Sequence, residues 1–440
     1  MRLTRPHALL LLCTIAALGG LAALSDGAPW VEEAKLTASD GAAFDYFGYG
    51  QSVSVSGSAA IVGAWGDDDH GGESGSAYIF ELTGSGWAQV AKLTASDART
   101  NDSFGMSVVL NGSTAVVGAD GNDDDGSGSG SAYVFGRSGS GWTEVAKLTS
   151  SDAASEDRFG TSVDIDGNTI IVGAIGDTSS RGSAYIFEDT GSGWTQAAKL
   201  TPSDAPTHAV FGISVALSGR RAIVGAWRDD DLGFRSGSAF IFEDTGSGWA
   251  EVAKLTASDG VMADYFGWAV SLSGNTAIVG AYGDDDLGSH SGSAYIFEDT
   301  GSGWSEVAKL TASDGAEYDY FGHSVAVSGG TAMVGAQLDD DLGSNTGSVY
   351  IFEDQGGGTW TEMAKLAAGD AVAGDYFGHC LALGDGRAIV GAYRVGDNGL
   401  DSGAAYIFSS RDLDVPIPEP GTLSLLCLGV LGLWRKRRKR

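Results

Sequence analysis

The chain has 440 residues, 69 of them Gly and only 7 Pro, with 43% apolar residues and a formal charge of −31. That apolar fraction excludes a disordered Gly-rich polymer, which could not bury enough surface to offset the entropy of ordering. The acidity excludes nucleic acid and anionic lipid as partners of the protein's body. Of the three cysteines, Cys13 and Cys427 lie in terminal apolar segments, leaving Cys380 without an internal disulfide partner.

In chain order, residues 1–25 read as a secretory signal. Arg2 and Arg5 precede an apolar run over 8–24, and the small residues Ala23 and Ser25 place cleavage after Ser25. One pattern then recurs seven times. Phe-Gly occurs at Phe47, Phe104, Phe159, Phe211, Phe266, Phe321 and Phe377, and Gly-Ala follows at Gly63, Gly118, Gly173, Gly225, Gly280, Gly335 and Gly391. An aromatic triplet such as Tyr295-Ile296-Phe297 comes next, and six copies continue with Trp and Ala-Lys-Leu. A spacing of about fifty residues fits four-stranded propeller blades.

Each unit parses as four strands, A to D, as over 321–327, 277–281, 293–298 and 304–310 in representative copies. Strand B is apolar on both faces, as a strand sandwiched between neighbouring sheets should be. The A–B links, such as Ser273-Gly274-Asn275-Thr276, are hairpin turns. A strand-D sequence over 30–36 precedes the first Phe-Gly, and the seventh unit lacks its own. The count closes if the N-terminal strand completes the last blade, so an all-β, seven-bladed propeller of four-stranded antiparallel blades is expected over 30–409. The lysine carried by every strand D reads as a charge that blunts an outer edge.

These residues resemble the FG-GAP repeat family, the propeller of integrin α-subunits and many bacterial surface proteins. The resemblance implies a seven-bladed propeller with an interaction role outside the cell. Calcium-binding family members hold the ion in an Asp-x-Asp-x-Asp-Gly-like loop between strands A and B. Here that link is a tight turn such as Ser218-Gly219-Arg220-Arg221, too short to wrap a cation.

The acids gather in two other loops. The B–C loops hold Asp67-Asp68-Asp69, Asp123-Asp124-Asp125, Asp229-Asp230-Asp231, Asp284-Asp285-Asp286 and Asp339-Asp340-Asp341, and the D–A loops carry Asp40, Asp97, Asp152, Asp204, Asp259, Asp314 and Asp370. Both loop types should emerge on one face. Hard carboxylate oxygens there make Asp67, Asp69, Asp123, Asp125, Asp229, Asp231, Asp284, Asp286, Asp339 and Asp341 candidate Ca²⁺ ligands. A solvated acidic rim is the plainer reading, since an Asp beside Gly also favours turns. Trp65, Trp227, Tyr282 and Tyr393 follow Gly-Ala on the same face and are candidate contacts for a glycan or peptide.

Catalysis finds little support. The histidines form no recurring pair with metal-ligand spacing, and Cys380 stands where most blades carry Ser, with no general base in view. The expectation is a non-enzymatic binding or adhesion scaffold for extracellular polysaccharide or a surface protein. A polysaccharide hydrolase or lyase, or a passive spacer, is the alternative.

After a linker over 410–417, Pro418-Glu419-Pro420 leads into an apolar stretch over 421–434 and six basic residues over 435–440. A basic cluster behind a short span stays on the cytoplasmic side. Fourteen helical residues reach about 21 Å, short of a bilayer core of about 30 Å, which suits a transient anchor. The order of parts over 418–440 resembles the PEP-CTERM sorting signal of Gram-negative bacteria. It implies an exosortase-type processing protease as partner, cleavage near Pro418-Glu419-Pro420, and delivery to the cell surface or medium. Contact with membrane is expected only through the terminal segments.

Overall fold

The computed structural model describes residues 30–139 and 141–410. The signal over 1–25, nearly all of the linker and the sorting segment over 418–440 lie outside the described residues. Seven separate four-stranded antiparallel sheets, one per repeat, form the blades of a propeller. In blade 5 strands A to D are Ala269–Ser273, Thr276–Ala281, Ser293–Asp299 and Trp304–Leu310. Strand A is innermost, lining the axial channel through Val270 and its counterparts Val53, Val108, Val163, Val215, Val325 and Leu381. Among the described residues the one helical segment is a four-residue turn, Asp177–Ser180, in the B–C loop of blade 3.

The ring closes as the displaced strand requires. Trp30–Leu36 pairs antiparallel with Ala404–Ser410, matching Lys35 to Tyr406 and Leu36 to Ala405. Blade 7 therefore takes its outer strand from the start of the chain and its other three from the end.

The core lies between blades. Ile223 and Ile241 of blade 4 pack with Val279, Tyr295 and Phe297 of blade 5, all buried. Burying each such side chain contributes about 1.5–3 kcal/mol. Strand B is apolar on both faces because each face meets a different sheet.

The Phe-Gly and Gly-Ala pairs have one shared reason. Phe266 is buried, its ring 5.5 Å from Tyr295 and 5.9 Å from Phe297 of the same blade. The glycine after each Phe then meets the Gly-Ala glycine of the preceding blade. A Cβ placed on Gly280 would lie 2.0 Å from the carbonyl oxygen of Gly322, and one on Gly391 would lie 2.5 Å from that of Gly48. The contact recurs at all seven joints, including the one that closes the ring. Serines reinforce it: Ser107, Ser162 and Ser324 donate to the carbonyls of Gly160, Gly212 and Gly378 at 2.7–2.8 Å. Cys380 does the same in blade 7, its buried Sγ 3.1 Å from Gly48 O.

Blade 1 departs from the pattern. Gly50-Gln51 is inserted after Phe47-Gly48-Tyr49, and strand A starts only at Val53. The Gln51 amide reaches across the channel and donates to Ile213 O of blade 4 at 2.7 Å.

Candidate functional site

The B–C and D–A loops do share a face, and the strand-D lysine ties them together. In blade 1, Lys92 Nζ lies 2.8 Å from Asp40, 2.9 Å from Asp67 and 2.6 Å from Asp69. Asp40 comes from the D–A loop entering the blade, and the other two from its B–C loop. Lys309 repeats the arrangement with Asp259, Asp284 and Asp286 at 2.7, 3.0 and 2.5 Å. Lys365 does so with Asp314, Asp339 and Asp341 at 2.8, 2.7 and 2.6 Å. The ammonium also stands over the strand-C ring, 5.2 Å from the Tyr295 centroid. The Tyr295 hydroxyl lies 2.9 and 2.8 Å from carboxylate oxygens of Asp259 and Asp284, which share its one proton. The lysines are thus internal counter-charges, and the edge-blunting role gives way to loop fastening. A side chain pairing across from Tyr on a strand end has only these carboxylates within reach.

Each aspartate of a triplet has its own task. The first is buried beside the lysine, as Asp67, Asp229, Asp284 and Asp339 are, and in all but blade 4 it meets the strand-C tyrosine as well. The second caps the loop: Asp68, Asp230, Asp285 and Asp340 accept the backbone N–H five residues on, at 2.7–2.8 Å. The third, Asp69, Asp231, Asp286 or Asp341, reaches the lysine from the solvent side.

Blade 2 is shifted by one residue relative to the other triplets. Asn122 and Asp124, rather than Asp123 and Asp125, face Lys147, at 3.3 and 2.5 Å. Asp123 is the loop cap, bonded to Gly128 N–H. The register runs from Gly-Ala, and blade 2 places Asn122 four residues after Gly118, where blade 1 has Asp67 four after Gly63. Blade 4 differs again, because Phe240 replaces the tyrosine. Asp229 Oδ2 is there fully buried and lacks a hydrogen-bond partner among the described residues, although Lys254 Nζ lies 3.0 Å away.

Burial disfavours the charged lysine, but the carboxylates of Asp259, Asp286 and Asp284 more than offset it and raise the pKa of Lys309. Asp177 is held at about 2: burial pushes it up, and bonds from Lys199, Ser183, Thr178 and Tyr185 outweigh that. The second acid of the D–A loop behaves oppositely. Burial raises Asp45, Asp264 and Asp319 to about 6, against one backbone N–H each accepts.

The carboxylate oxygens of Asp40, Asp67 and Asp69, of Asp259, Asp284 and Asp286, and of Asp314, Asp339 and Asp341 are close enough to hold a metal ion. The lysine ammonium stands among the same oxygens, so a metal would compete with it.

The axial channel, about 810 Å³ along the A strands, opens on this face. Three positions converge there: the residue before Phe-Gly, the residue after it, and the residue after Gly-Ala. In blades 5 to 7 and blade 1 they are mostly aromatic or histidine, and blade 4 contributes Trp227 beside Val210 and Ile213. Centroid distances of 4.7–6.0 Å link Trp227, Trp268, His323, His379, Tyr49 and Trp65 in an arc, with Tyr49–His379 the shortest of these links. Tyr282 and Tyr393 pack on the arc at 5.1 Å from Trp268 and 4.8 Å from Tyr49. All four aromatics singled out in the sequence therefore belong to it. Missed were Tyr49, Trp268, His323 and His379 as members of one cluster. Alignment on Phe-Gly shows them at one position, yet only the ring brings that position beside the Gly-Ala one. In blades 2 and 3 the same positions hold Met106, Asp120, Arg158, Thr161 and Ile175. Burial in the channel wall lowers His323 to about 4 and His379 also well below the usual histidine value. It raises the Cys380 thiol to about 12.

Family comparison agrees with this geometry. The FG-GAP repeat model matches seven times, over residues 30–80, 87–135, 142–187, 194–242, 249–297, 304–352 and 360–408. The chain belongs to the FG-GAP repeat family. A PEP-CTERM protein-sorting motif matches residues 416–439, which implies export and membrane-associated processing by an exosortase. No curated protein matches the chain. Among solved structures, the chain is similar to the Saccharomyces cerevisiae protein Sqt1, at 11% identity and a TM-score of 0.46, over 86% of this chain and 98% of that one. Among the described residues no helix is long and apolar enough to cross a membrane.

Proposed function

We propose that this is a surface-displayed binding or adhesion scaffold that engages extracellular polysaccharide or a surface protein through the face of its B–C and D–A loops. The aromatic arc at the channel mouth carries the reading. Rings that pack on one another around the mouth of a channel provide large, rigid contact area. Exposed Phe44, Met262, Leu342, Val372 and Leu400 extend an apolar character over the same loops. Passage through the inner membrane of a Gram-negative cell, with the C-terminal segment as a transient anchor, accords with the sorting motif.

Binding is favoured over catalysis by the state of the reactive groups. The carboxylates of the lysine trios are engaged by lysine, tyrosine or backbone N–H, the channel histidines are held neutral, and the Cys380 thiol is far from ionising. Calcium, in this reading, competes with lysine and is not required for the loops to hold their shape. Retention of cell-surface material on the immobilised protein tests the proposal. Tyr393→Ala and Trp268→Ala should reduce retention at least tenfold with melting unchanged within a few degrees, and full retention by both variants would remove the face from consideration.

A further inference from the structure

The charges left free on this face point to the ligand's chemistry. Resting on the binding reading above, the inference concerns what the arc recognises. The arginines of the outer edge and the opposite face have carboxylate partners: Arg137 with Glu81, Arg220 with Asp244, Arg221 with Glu243 and Asp299, and Arg387 with Glu33. On the loop face, Arg99 pairs with Asp124. Among the described residues Arg158, Arg181, Arg228, Arg235 and Arg394 have no carboxylate within salt-bridge distance, and all five lie in B–C or D–A loops. In a chain carrying −31, guanidiniums without counter-ions gathered on one face are the reverse of what random placement in an acidic surface would produce.

Two of them bracket the arc. Arg228 lies over the Trp227 ring at 4.3 Å, where the arc begins in blade 4. Arg394 lies over Tyr376 and Tyr393 at 4.8 and 5.6 Å, toward its other end in blade 7. Stacking occupies the flat face of a guanidinium and leaves its in-plane N–H fork for a carboxylate. Arg228 Nε is buried without a hydrogen-bond partner among the described residues, a donor left wanting an acceptor. Asp229, Asp230 and Asp231 beside Arg228 are no competitors, since Lys254 and a loop N–H already hold them, and Asp401 acts on Arg394 only from beyond salt-bridge distance.

We propose that the channel mouth binds an acidic oligosaccharide, with aromatic rings taking the pyranose faces and Arg228 and Arg394 taking carboxylates along the chain. An extended ligand suits an arc that crosses five blades. A neutral glycan would leave the guanidiniums unused.

Calorimetric titration of the full chain in mild detergent with tetragalacturonate and with its fully methyl-esterified counterpart tests this. The acid form should bind, and the ester, whose carboxyls are uncharged methyl esters on the same sugar chain, should bind at least tenfold more weakly. Arg394→Gln and Arg228→Gln should each weaken the acid form about tenfold and leave the ester unchanged, and Arg220→Gln on the opposite face should change neither. Equal binding of acid and ester, or no binding of either, would overturn the proposal. Insensitivity to both arc arginines would also overturn it. Loss of uronate binding with retention of cell-surface material intact would reject the ligand class alone and leave the binding face standing.

Discussion

Lys309 Nζ lies 3.0 Å from the buried carboxylate of Asp284, and the same ammonium is within 2.7 Å of Asp259 from the loop that enters the blade. One side chain thereby joins two loops separated in sequence by a whole strand pair. The lysine takes the place among oxygens that a divalent cation would take. Its replacement should expose that equivalence. Lys309→Met leaves the buried Asp284 without a counter-charge and should cost about 2–3 kcal/mol, discounted because the cluster is partly solvated. Calcium should then restore about 1.4 kcal/mol at tenfold excess over Kd. Melting of the wild type and the variant, each with calcium and with a chelator, reads both effects. A variant blind to calcium would show that the trio is no latent cation site.

Blade 4 supplies the converse test. Phe240 leaves Asp229 Oδ2 without the hydroxyl that Tyr295 gives Asp284 at 2.8 Å. Phe240→Tyr adds that donor in a position six other blades already accommodate, and should stabilise by about 1 kcal/mol. A denaturant midpoint that stays put or falls would mean the Asp229 pocket cannot admit the oxygen.

The glycine joints predict a sharp contrast between two substitutions. Gly280→Ala drives a methyl to 2.0 Å from Gly322 O, where backbone from two blades must separate. It should destabilise by about 3 kcal/mol or more. Gly84→Ala meets nothing within 4 Å and should stay within about 0.5 kcal/mol of the wild type. Equal losses at the two positions would refute the interlock.

The channel histidines give a pH dependence with a definite sign. His323 is lowered from 6.5 to about 4 by burial, so between those values the unfolded chain binds more protons than the folded one. Its contribution is complete above about pH 6.5 and fades as pH falls toward about 4. Asp45, Asp264 and Asp319, raised to about 6, act in the opposite sense, losing stability as pH climbs from 3.8 to about 6. Raw melting curves therefore mix the two. The gap in Tm between wild type and His323→Gln isolates the histidine, and should be wider at about pH 7 than at about pH 4.5. A gap independent of pH would place His323 in contact with bulk water.

Blade number, strand order and ring closure could all be read from residue order. Seven Phe-Gly pairs count the blades, and a strand-D sequence ahead of the first pair has no other sheet to complete. Repetition makes such features legible because each blade writes the same local pattern. The purpose of that pattern was not legible. Phe-Gly and Gly-Ala are about forty residues apart across a joint, and only packed sheets show one glycine's carbonyl filling the space a side chain would need on the other. The lysine clusters stayed hidden for a similar reason, since Lys92 draws Asp40 from about fifty residues upstream and Asp67 from about twenty-five. Counting aspartates also put Asp123 and Asp125 in the wrong register, where counting from Gly118 reaches Asn122. The aromatic arc depends most on the tertiary structure. Trp227, Trp268, His323, His379, Tyr49 and Trp65 occupy two different repeat positions in five blades, and they touch because the ring turns those positions toward one axis. Local hydrogen bonding and apolar alternation are encoded in neighbouring residues, whereas a surface assembled around an axis exists only once the blades have closed.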